Sequence, residues 1–154
     1  MAYHISGLAP DSFAPLFNLD AAGLAALRAE RVTVTSKPGF PCRISLTDAE
    51  PGEEVILLHH VSPDVETPYR SAYAIYVRQG VAQTSYTDTL PPVLCGRPIA
   101  LRGFDASGRL RAASLAVTGN ADAAIRDLFS IDHIAYIHAH NAAHGCFAAR
   151  VDRT

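Results

Sequence analysis

The chain lacks the short motifs by which many enzyme classes are identified. Its 154 residues contain no phosphate-binding loop, no dinucleotide fingerprint, no Cys-x-x-Cys pair and no nucleophile elbow. There is also no internal repeat and no low-complexity tract. These absences exclude only the enzyme classes that carry such motifs.

An excess of charge of one sign is missing as well, since the formal net charge is −2. A chain without a basic excess has no general attraction for nucleic acid or anionic lipid, so neither is expected as a partner. No apolar run approaches the length of a membrane span, and residues 1–8 lack the basic-then-apolar pattern of a signal peptide. Three cysteines are an odd number for a disulfide framework, so we expect a cytoplasmic protein with free thiols.

Length and composition favour one globular domain that covers residues 1–154. Hydrophobic residues make up 49% of the chain and charged residues 18%, a balance that supports a buried core. Apolar patterns predict strands at residues 31–36, 43–46, 54–61, 73–78, 98–104, 110–117, 134–140 and 146–152. Capping residues predict helices at residues 12–17, 21–28 and 121–129, and residues 81–94 have no clear period. The expected fold is α+β, a mostly antiparallel β-sheet with two or three helices packed on one side.

Side chains suited to acid–base or ligand chemistry are concentrated in residues 136–146 (Tyr-Ile-His-Ala-His-Asn-Ala-Ala-His-Gly-Cys). Strand alternation places His138 and His140 on one face of the sheet. If Phe147 and the alternate apolar residues after it join the core, the histidine face also collects Cys146. That face is too polar for ordinary core, so we expect it to be exposed to solvent or to line a cleft.

Four separated motifs follow one another along the chain. They are Ser-Lys-Pro-Gly-Phe-Pro-Cys-Arg at residues 36–43, Asp-Ala-Glu-Pro-Gly-Glu at 48–53, Pro-Tyr-Arg-Ser at 68–71, and His-Ala-His-Asn followed by Gly-Cys-Phe within 138–147. Together they resemble the bacterial family DUF1203 over nearly the whole chain. The resemblance implies a small, stand-alone bacterial domain from a family with no established activity. The family's C-terminal pattern matches here at His140, Asn141, Gly145 and Cys146, whereas His59, His60 and His144 depart from it.

Three interpretations of these residues remain open. In the first, His138 and His140 bind zinc or iron, because His-x-His on a strand directs two imidazoles to one side. A third ligand would come from His144, Cys146 or His59. The motif contains no carboxylate, however, and we expect the protein to purify without stoichiometric metal.

In the second interpretation, the protein has a metal-free pocket for a small anionic molecule and needs no cofactor. Arg43 and Arg70 follow proline-containing loops, and their guanidinium groups would hold carboxylate or phosphate bidentately. Asn141 would bind and orient the ligand. A catalytic version would use His140 as acid or base and Cys146 as nucleophile. We favour this interpretation, which requires Arg70 and His140 to line one cleft.

In the third interpretation, the same residues have structural roles such as satisfying loop carbonyls. The protein would then act without catalysis, by partner binding or by self-association as a homodimer through an exposed sheet face. A concave site shared by the predicted residues would support a pocket, and a flat interface would support self-association.

The three thiols carry expectations of their own. Ile44 and Phe147, which lie within two residues of Cys42 and Cys146, have the character of core residues, which predicts burial of both thiols, slow alkylation in the native state and no disulfide between them. Cys95 is expected to be a small buried residue.

Overall fold

The computed structural model describes residues 1–154 and contains nine β-strands in two sheets. The strands are β1 (Tyr3–Ser6), β2 (Glu30–Thr33), β3 (Glu54–Val61), β4 (Ala72–Arg78), β5 (Ser85–Thr87), β6 (Ile99–Phe104), β7 (Leu110–Ala116), β8 (Tyr136–Asn141) and β9 (Phe147–Arg153). Six form the larger sheet in the order β5-β1-β9-β8-β6-β7, and three form the smaller sheet in the order β2-β3-β4. All strand pairs in both sheets are antiparallel, which confirms the mostly antiparallel architecture.

Two α-helices, α1 (Ala21–Ala26) and α2 (Ala121–Phe129), lie against different sheets. Asp20 caps α1, since its carboxylate accepts a hydrogen bond from the Gly23 N–H at 2.8 Å. Helix α1 contacts β2, and α2 contacts β6 and β7. The expected packing of all helices on one side of one sheet is therefore not observed, because each sheet has its own apolar face to cover. No helix of the protein is long and apolar enough to cross a lipid bilayer.

The core is divided between the two sheets. One face of the larger sheet packs against α2 and forms a cluster of 18 buried residues that includes Ile125 and Ile137. A second cluster, of 9 buried residues including Ile56, lies beneath the smaller sheet. The other face of the larger sheet is turned toward the smaller sheet, where the Ser62 hydroxyl lies 3.5 Å from Nδ1 of His138. The histidines of β8 thus lie between the sheets.

Residues 43–46 form a turn and not the predicted strand. The Cys42 Sγ atom accepts hydrogen bonds from the backbone N–H groups of Ile44 at 3.4 Å and Ser45 at 3.5 Å. These amides are directed at the sulfur and are not available to a neighbouring strand. The sequence pattern did not reveal this, because the sulfur acceptor lies just outside the apolar run.

Elsewhere the predicted elements are found with small changes. Strand β3 occupies the predicted residues, Glu54–Val61. Residues 12–17 form parts of two 3₁₀ turns and not an α-helix. The segment 81–94 contains the short strand β5, which pairs with β1 at the edge of the larger sheet.

Gly7 allows the loop that carries Arg43 to lie close to β1. The Leu8 N–H donates to the Arg43 carbonyl at 2.7 Å, and a Cβ atom on Gly7 would lie 1.9 Å from the Ile44 carbonyl oxygen. Glycine is required for this approach, because the obstructing atom belongs to the main chain and cannot rotate away.

We predict that Gly7→Ala destabilises the protein by roughly 3 kcal/mol or more, because the added methyl group forces the loop away from β1. Gly23→Ala is the matched control, since its Cβ would meet only side-chain atoms, at 3.2 Å or more, and helix propensity favours alanine. Urea unfolding of the three proteins measures the difference. A Gly7→Ala protein as stable as the wild type would show that the close approach is wrong.

Candidate functional site

A cavity of about 430 Å³ lies at the junction of the two sheets. Its walls come from loop 39–43, from β4 and from the turn between β8 and β9. The lining residues are Gly39, Pro41, Arg43, Ala72, Tyr73, Ala74, Tyr76, Asn141, His144 and Cys146. The fold thus brings together three residues of the predicted site, Arg43, Asn141 and Cys146.

The guanidinium group of Arg43 is buried in the cavity wall, and the residue is only 2% exposed. Its Nε donates to the Phe147 carbonyl at 2.8 Å, and its Nη1 donates to the Pro41 carbonyl at 2.5 Å. Its Nη2 lies 3.2 Å from the Cys146 Sγ atom and donates to it. A guanidinium group has five N–H donors, so two remain beyond these three contacts.

Arg43 has no carboxylate partner. None of the eight ion pairs of the protein includes it. Burial lowers the pKa of Arg43 because desolvation disfavours the charged form, and the neighbouring Cys146 sulfur opposes this effect. Arginine nevertheless stays protonated in proteins. The cavity wall therefore contains a positive charge that is held by carbonyl oxygens and a sulfur atom.

Asn141 and Cys146 lie beside this charge. The Cys146 Sγ atom accepts a hydrogen bond from Asn141 Nδ2 at 3.4 Å as well as the one from Arg43. Asn141 is 7% exposed, and its Oδ1 atom is buried without a hydrogen-bond partner. Buried polar atoms are rarely left unpaired. Arg43 thus has two N–H donors without a partner, and Asn141 has an acceptor without a partner that is enclosed within the protein.

A β-bulge moves Phe147 onto the histidine face of the sheet. The pairing of β8 with β9 shifts register between Ala139 and His140, so that His140 lies opposite Phe147. The Phe147 ring centroid is 5.1 Å from that of His138 and 6.1 Å from that of His140. The predicted position of Phe147 on the opposite face was wrong, because a bulge reverses strand alternation. The shift also places Cys146 in the cavity, next to Arg43.

The histidine face of β8 is buried between the sheets. His138 is 3% exposed and His140 is 0% exposed, which corrects the expectation of an exposed face or a cleft. The His140 Nδ1 donates to the Gly145 carbonyl at 2.9 Å, and its Nε2 is buried without a partner. The ring packs edge-on against Tyr73, with centroids 4.9 Å apart, and lies behind the cavity wall. This face offers no exposed surface for self-association.

Burial also decides the protonation of the two rings. Desolvation lowers the pKa of His138 to about 3 and that of His140 to about 4. A general base works best when its pKa is near the operating pH. At neutral pH these values make His140 a neutral hydrogen-bond acceptor through Nε2, and not the proton-transfer group suggested by the sequence.

Arg70 lies outside the cavity. Its Nε donates to Asp64 at 2.9 Å, and its side chain is 54% exposed. The expectation that Arg70 and His140 line one cleft is therefore wrong, because an acid six residues away holds the guanidinium at the surface. Of the two predicted arginines, the cavity contains only Arg43.

The three thiols, all free, differ in their surroundings. Cys42 is fully buried, as expected. Cys146 is partly exposed and lines the cavity, so its expected burial was wrong. Cys95 is also exposed and not buried, since it follows a short 3₁₀ turn at the surface.

The structure contains no set of side chains that would form the metal site of the first interpretation. No three His, Cys, Asp or Glu side chains are grouped so that they could hold one metal ion. The ring centroids of His138 and His140 are 6.3 Å apart, and Nδ1 of His140 is used by Gly145.

The cavity also contains two tyrosines that the sequence did not single out. Tyr73 and Tyr76 are three positions apart in β4, and strand alternation alone would place them on opposite faces. Both line the cavity, because β4 is an edge strand of the smaller sheet. The Tyr73 hydroxyl accepts a hydrogen bond from Arg102 Nη1 at 2.7 Å. An edge position depends on strand order, which no local pattern reveals.

The fold and the cavity define a class of protein, namely a two-sheet α+β protein with a cavity built around one buried arginine. The chain belongs to the DUF1203 family of proteins of unknown function, whose model matches residues 39–153. This match confirms the resemblance seen in the four motifs. No curated protein and no solved structure matches the chain. The matched range includes Arg43, Asn141 and Cys146, so the cavity belongs to the family's part of the chain.

We predict that stability falls as the pH drops from 7 to 5. Because the folded-state pKa values of His138 and His140 lie below the unfolded value of about 6.5, the unfolded state takes up protons first. Each ring then removes roughly 2 kcal/mol of stability by pH 5. Carboxylates titrate below this window. The measurement is the free energy of unfolding by urea at each pH.

The pair His140→Asn and His133→Asn isolates the effect of one buried ring. The Nδ2 of asparagine can replace Nδ1 of His140 toward the Gly145 carbonyl, so this substitution removes the titration and keeps the hydrogen bond. His140→Asn should weaken the pH dependence, whereas His133→Asn, at an exposed position, should leave it unchanged. A wild-type stability that is constant from pH 7 to 5 would show that these rings do not stay neutral in the folded state.

Proposed function

We propose that the protein binds a small carboxylate-bearing anion in the cavity, with Arg43 as the group that holds the negative charge. The supporting observation is the buried Arg43 guanidinium, which has no carboxylate partner and has two N–H donors beyond its three contacts. We further propose that the protein acts in the cytoplasm, where its free thiols stay reduced.

The energetics of a buried charge support this proposal. Taking a guanidinium group out of water costs several kcal/mol, and neutral carbonyl oxygens offset only part of that cost. A carboxylate that accepts two N–H bonds forms the strongest pair that arginine makes. The acids of the neighbouring motif are already paired, since Asp48 binds Arg97 and Glu53 binds Arg78, each at 2.8 Å. The charge of Arg43 is thus left for a ligand.

We predict that propionate raises the melting temperature of the wild-type protein, whereas its neutral counterpart propionamide does not. At a concentration ten times Kd, a ligand adds about 1.4 kcal/mol, which corresponds to roughly 3–6 °C for a chain of this size. Differential scanning fluorimetry over a range of concentrations, at constant ionic strength, gives the shift. Equal shifts with both compounds would show that charge does not drive binding.

Two arginine variants and one asparagine variant make the test specific. Arg43→Gln should abolish the propionate shift, while Arg70→Gln, which removes an exposed arginine outside the cavity, should keep it. Asn141→Asp adds an internal carboxylate beside Arg43 in an almost unchanged shape, so it should abolish the shift and keep the fold. A full propionate shift in folded Asn141→Asp protein would exclude Arg43 as the anion-binding group.

Cys146 gives the cavity a second chemical capability. Its Sγ atom lies 3.2 Å from Arg43 Nη2, so an anion bound to Arg43 has this sulfur beside it. The residue lines the cavity and is partly exposed, whereas Cys42 is fully buried. A catalytic use of the site would therefore have Cys146 as its nucleophile.

We predict that iodoacetate, whose carboxylate is drawn to Arg43, alkylates Cys146 preferentially. The Sγ atom displaces iodide and forms a carbon–sulfur bond. The ratio of the iodoacetate rate to the iodoacetamide rate should be about tenfold higher at Cys146 than at exposed Cys95, a difference of roughly 1.4 kcal/mol. Mass spectrometry assigns the sites, and Cys42 should stay unmodified. The same ratio at both sites, or a high ratio that survives Arg43→Gln, would contradict the prediction.

A further inference from the structure

Strand β4 has an edge that is not paired with another strand. In a strand paired on one side only, alternate residues direct their backbone N–H and C=O groups away from the partner strand. In β4 Tyr76 is such a residue, because its carbonyl accepts a hydrogen bond from the Arg43 N–H at 3.1 Å, outside the sheet. The register with β3 continues without a shift, so Ala72 and Ala74 also direct their backbone groups away from β3.

No backbone segment of the protein pairs with the edge at Ala72 and Ala74. The loop that carries Arg43 covers the edge only at Tyr76, through a parallel bridge with Cys42. None of the 38 backbone hydrogen bonds outside the regular elements involves Ala72 or Ala74, and both residues are exposed. Two N–H groups and two carbonyl groups are therefore available on this stretch of the strand.

The cavity lies along this edge and not over one face of the strand. Neighbouring side chains of a strand point to opposite faces. The Tyr73 ring packs against His140 of the larger sheet, so the side chains of Ala72 and Ala74 point away from that sheet. A space that is lined by all three residues borders the strand at its edge. The available backbone groups are therefore directed toward the cavity.

The two features of the cavity match two parts of one kind of molecule. An unpaired strand edge is complementary to another extended backbone, and a guanidinium group is complementary to a carboxylate. The C-terminal end of a peptide carries both groups on neighbouring atoms. The cavity volume of about 430 Å³ is in the range of sites that hold ligands much larger than propionate.

We propose that the cavity binds the C-terminal end of an extended peptide, with the terminal carboxylate on Arg43 and the main chain added to the free edge of β4. This inference rests on the proposed anion binding at Arg43 and goes further by naming the class of ligand. The Ala74 N–H donates to a peptide carbonyl, and peptide N–H groups donate to the carbonyls of Ala72 and Ala74. The sequence of the peptide contributes less than its backbone, because these contacts involve no side chain of the ligand.

Four probes, titrated into the wild-type protein by calorimetry, test the two parts of the proposal separately. They are propionate, acetyl-trialanine with a free carboxylate, its C-terminal amide, and its ester analogue, in which oxygen replaces each peptide N–H. Acetyl-trialanine should bind at least tenfold more tightly than propionate, because it adds two or more hydrogen bonds. The amide, which lacks the charge, and the ester, which lacks the N–H donors, should each bind at least tenfold more weakly than acetyl-trialanine.

The outcomes distinguish the class of ligand from anion binding itself. If propionate binds as tightly as acetyl-trialanine, the peptide inference is wrong and anion binding stands. If the ester binds as tightly as the peptide, no strand is added to β4 and the inference is overturned. If the amide binds as tightly as the free acid, the terminal carboxylate is not held and the inference is also overturned. If no probe binds, both proposals are wrong.

Ala74→Pro tests the strand edge. Proline lacks the N–H group that is directed at the cavity, and an edge strand tolerates proline where this group is not used in the sheet. Acetyl-trialanine should therefore lose most of its tenfold advantage in this variant, while propionate binding persists. An unchanged advantage in folded Ala74→Pro protein would contradict pairing with β4. If the variant does not fold, the comparison of peptide and ester on the wild-type protein still decides the proposal.

Thr33→Pro is the matched control, because it changes the other edge strand of the same sheet, β2. The Val34 N–H donates to the Glu53 carbonyl at 2.8 Å, in continuation of the pairing of β2 with β3, so the preceding Thr33 directs its N–H away from β3. Thr33 is exposed and does not line the cavity. Thr33→Pro should keep the full advantage of acetyl-trialanine over propionate, and an equal loss in both proline variants would show that the effect is not specific to β4.

Discussion

The buried guanidinium of Arg43 is the interaction on which the arrangement of the site depends. It joins three parts of the chain, since it donates to the Pro41 carbonyl in its own loop, to the Phe147 carbonyl at the start of β9, and to the Cys146 sulfur. These contacts tie the loop before β3 to the last hairpin of the larger sheet, 103 residues away in sequence. A buried charge that loses partners destabilises a fold by several kcal/mol. The position of the loop and the electrostatics of the cavity are therefore set by one side chain.

The layer of aromatic and histidine side chains between the sheets forms the rear support of this cavity. The His140 ring contacts both Phe147 and Tyr73, and Tyr73 belongs to the cavity wall. Desolvation holds the ring neutral, and the nearby charges of Arg102 and Arg43 act in the same direction. Neutral imidazole packs like an aromatic side chain, so histidines can fill this layer. His138 and His140, the two histidines of β8, thus pack between the sheets, and the cavity lies in front of them.

The sequence predicted the parts of the structure that depend on local patterns. It located β3 and the Asp20 cap of α1, because a continuous apolar run and a capping residue act within a few positions. It also placed Arg43, Asn141 and Cys146 in one site, since they stand in motifs of the family. It failed where the outcome depends on a long-range register. The register shift between Ala139 and His140 moves Phe147 to the histidine face while Ala149 and Val151 stay in the core, and nothing in the apolar pattern marks it.

Arg43 differs from the partly buried arginines Arg78 and Arg97 in having no carboxylate partner, and this difference supports a binding site in the cavity. Arg97 and Arg78 are about one-fifth exposed in their side chains, and each has an aspartate or a glutamate at 2.8 Å. Arg43 is more deeply buried and has none, although the cost of an unpaired charge is greatest there. In natural proteins, local propensity, packing, hydrogen bonding and charge pairing usually favour the same structure. Exceptions occur at functional positions, where other contacts offset their cost. One such exception occurs in the cavity wall, where the charge of Arg43 has no acidic partner. The contacts of Arg43 with two carbonyl oxygens and a sulfur atom position the loop, whereas a bound anion would in addition neutralise the charge.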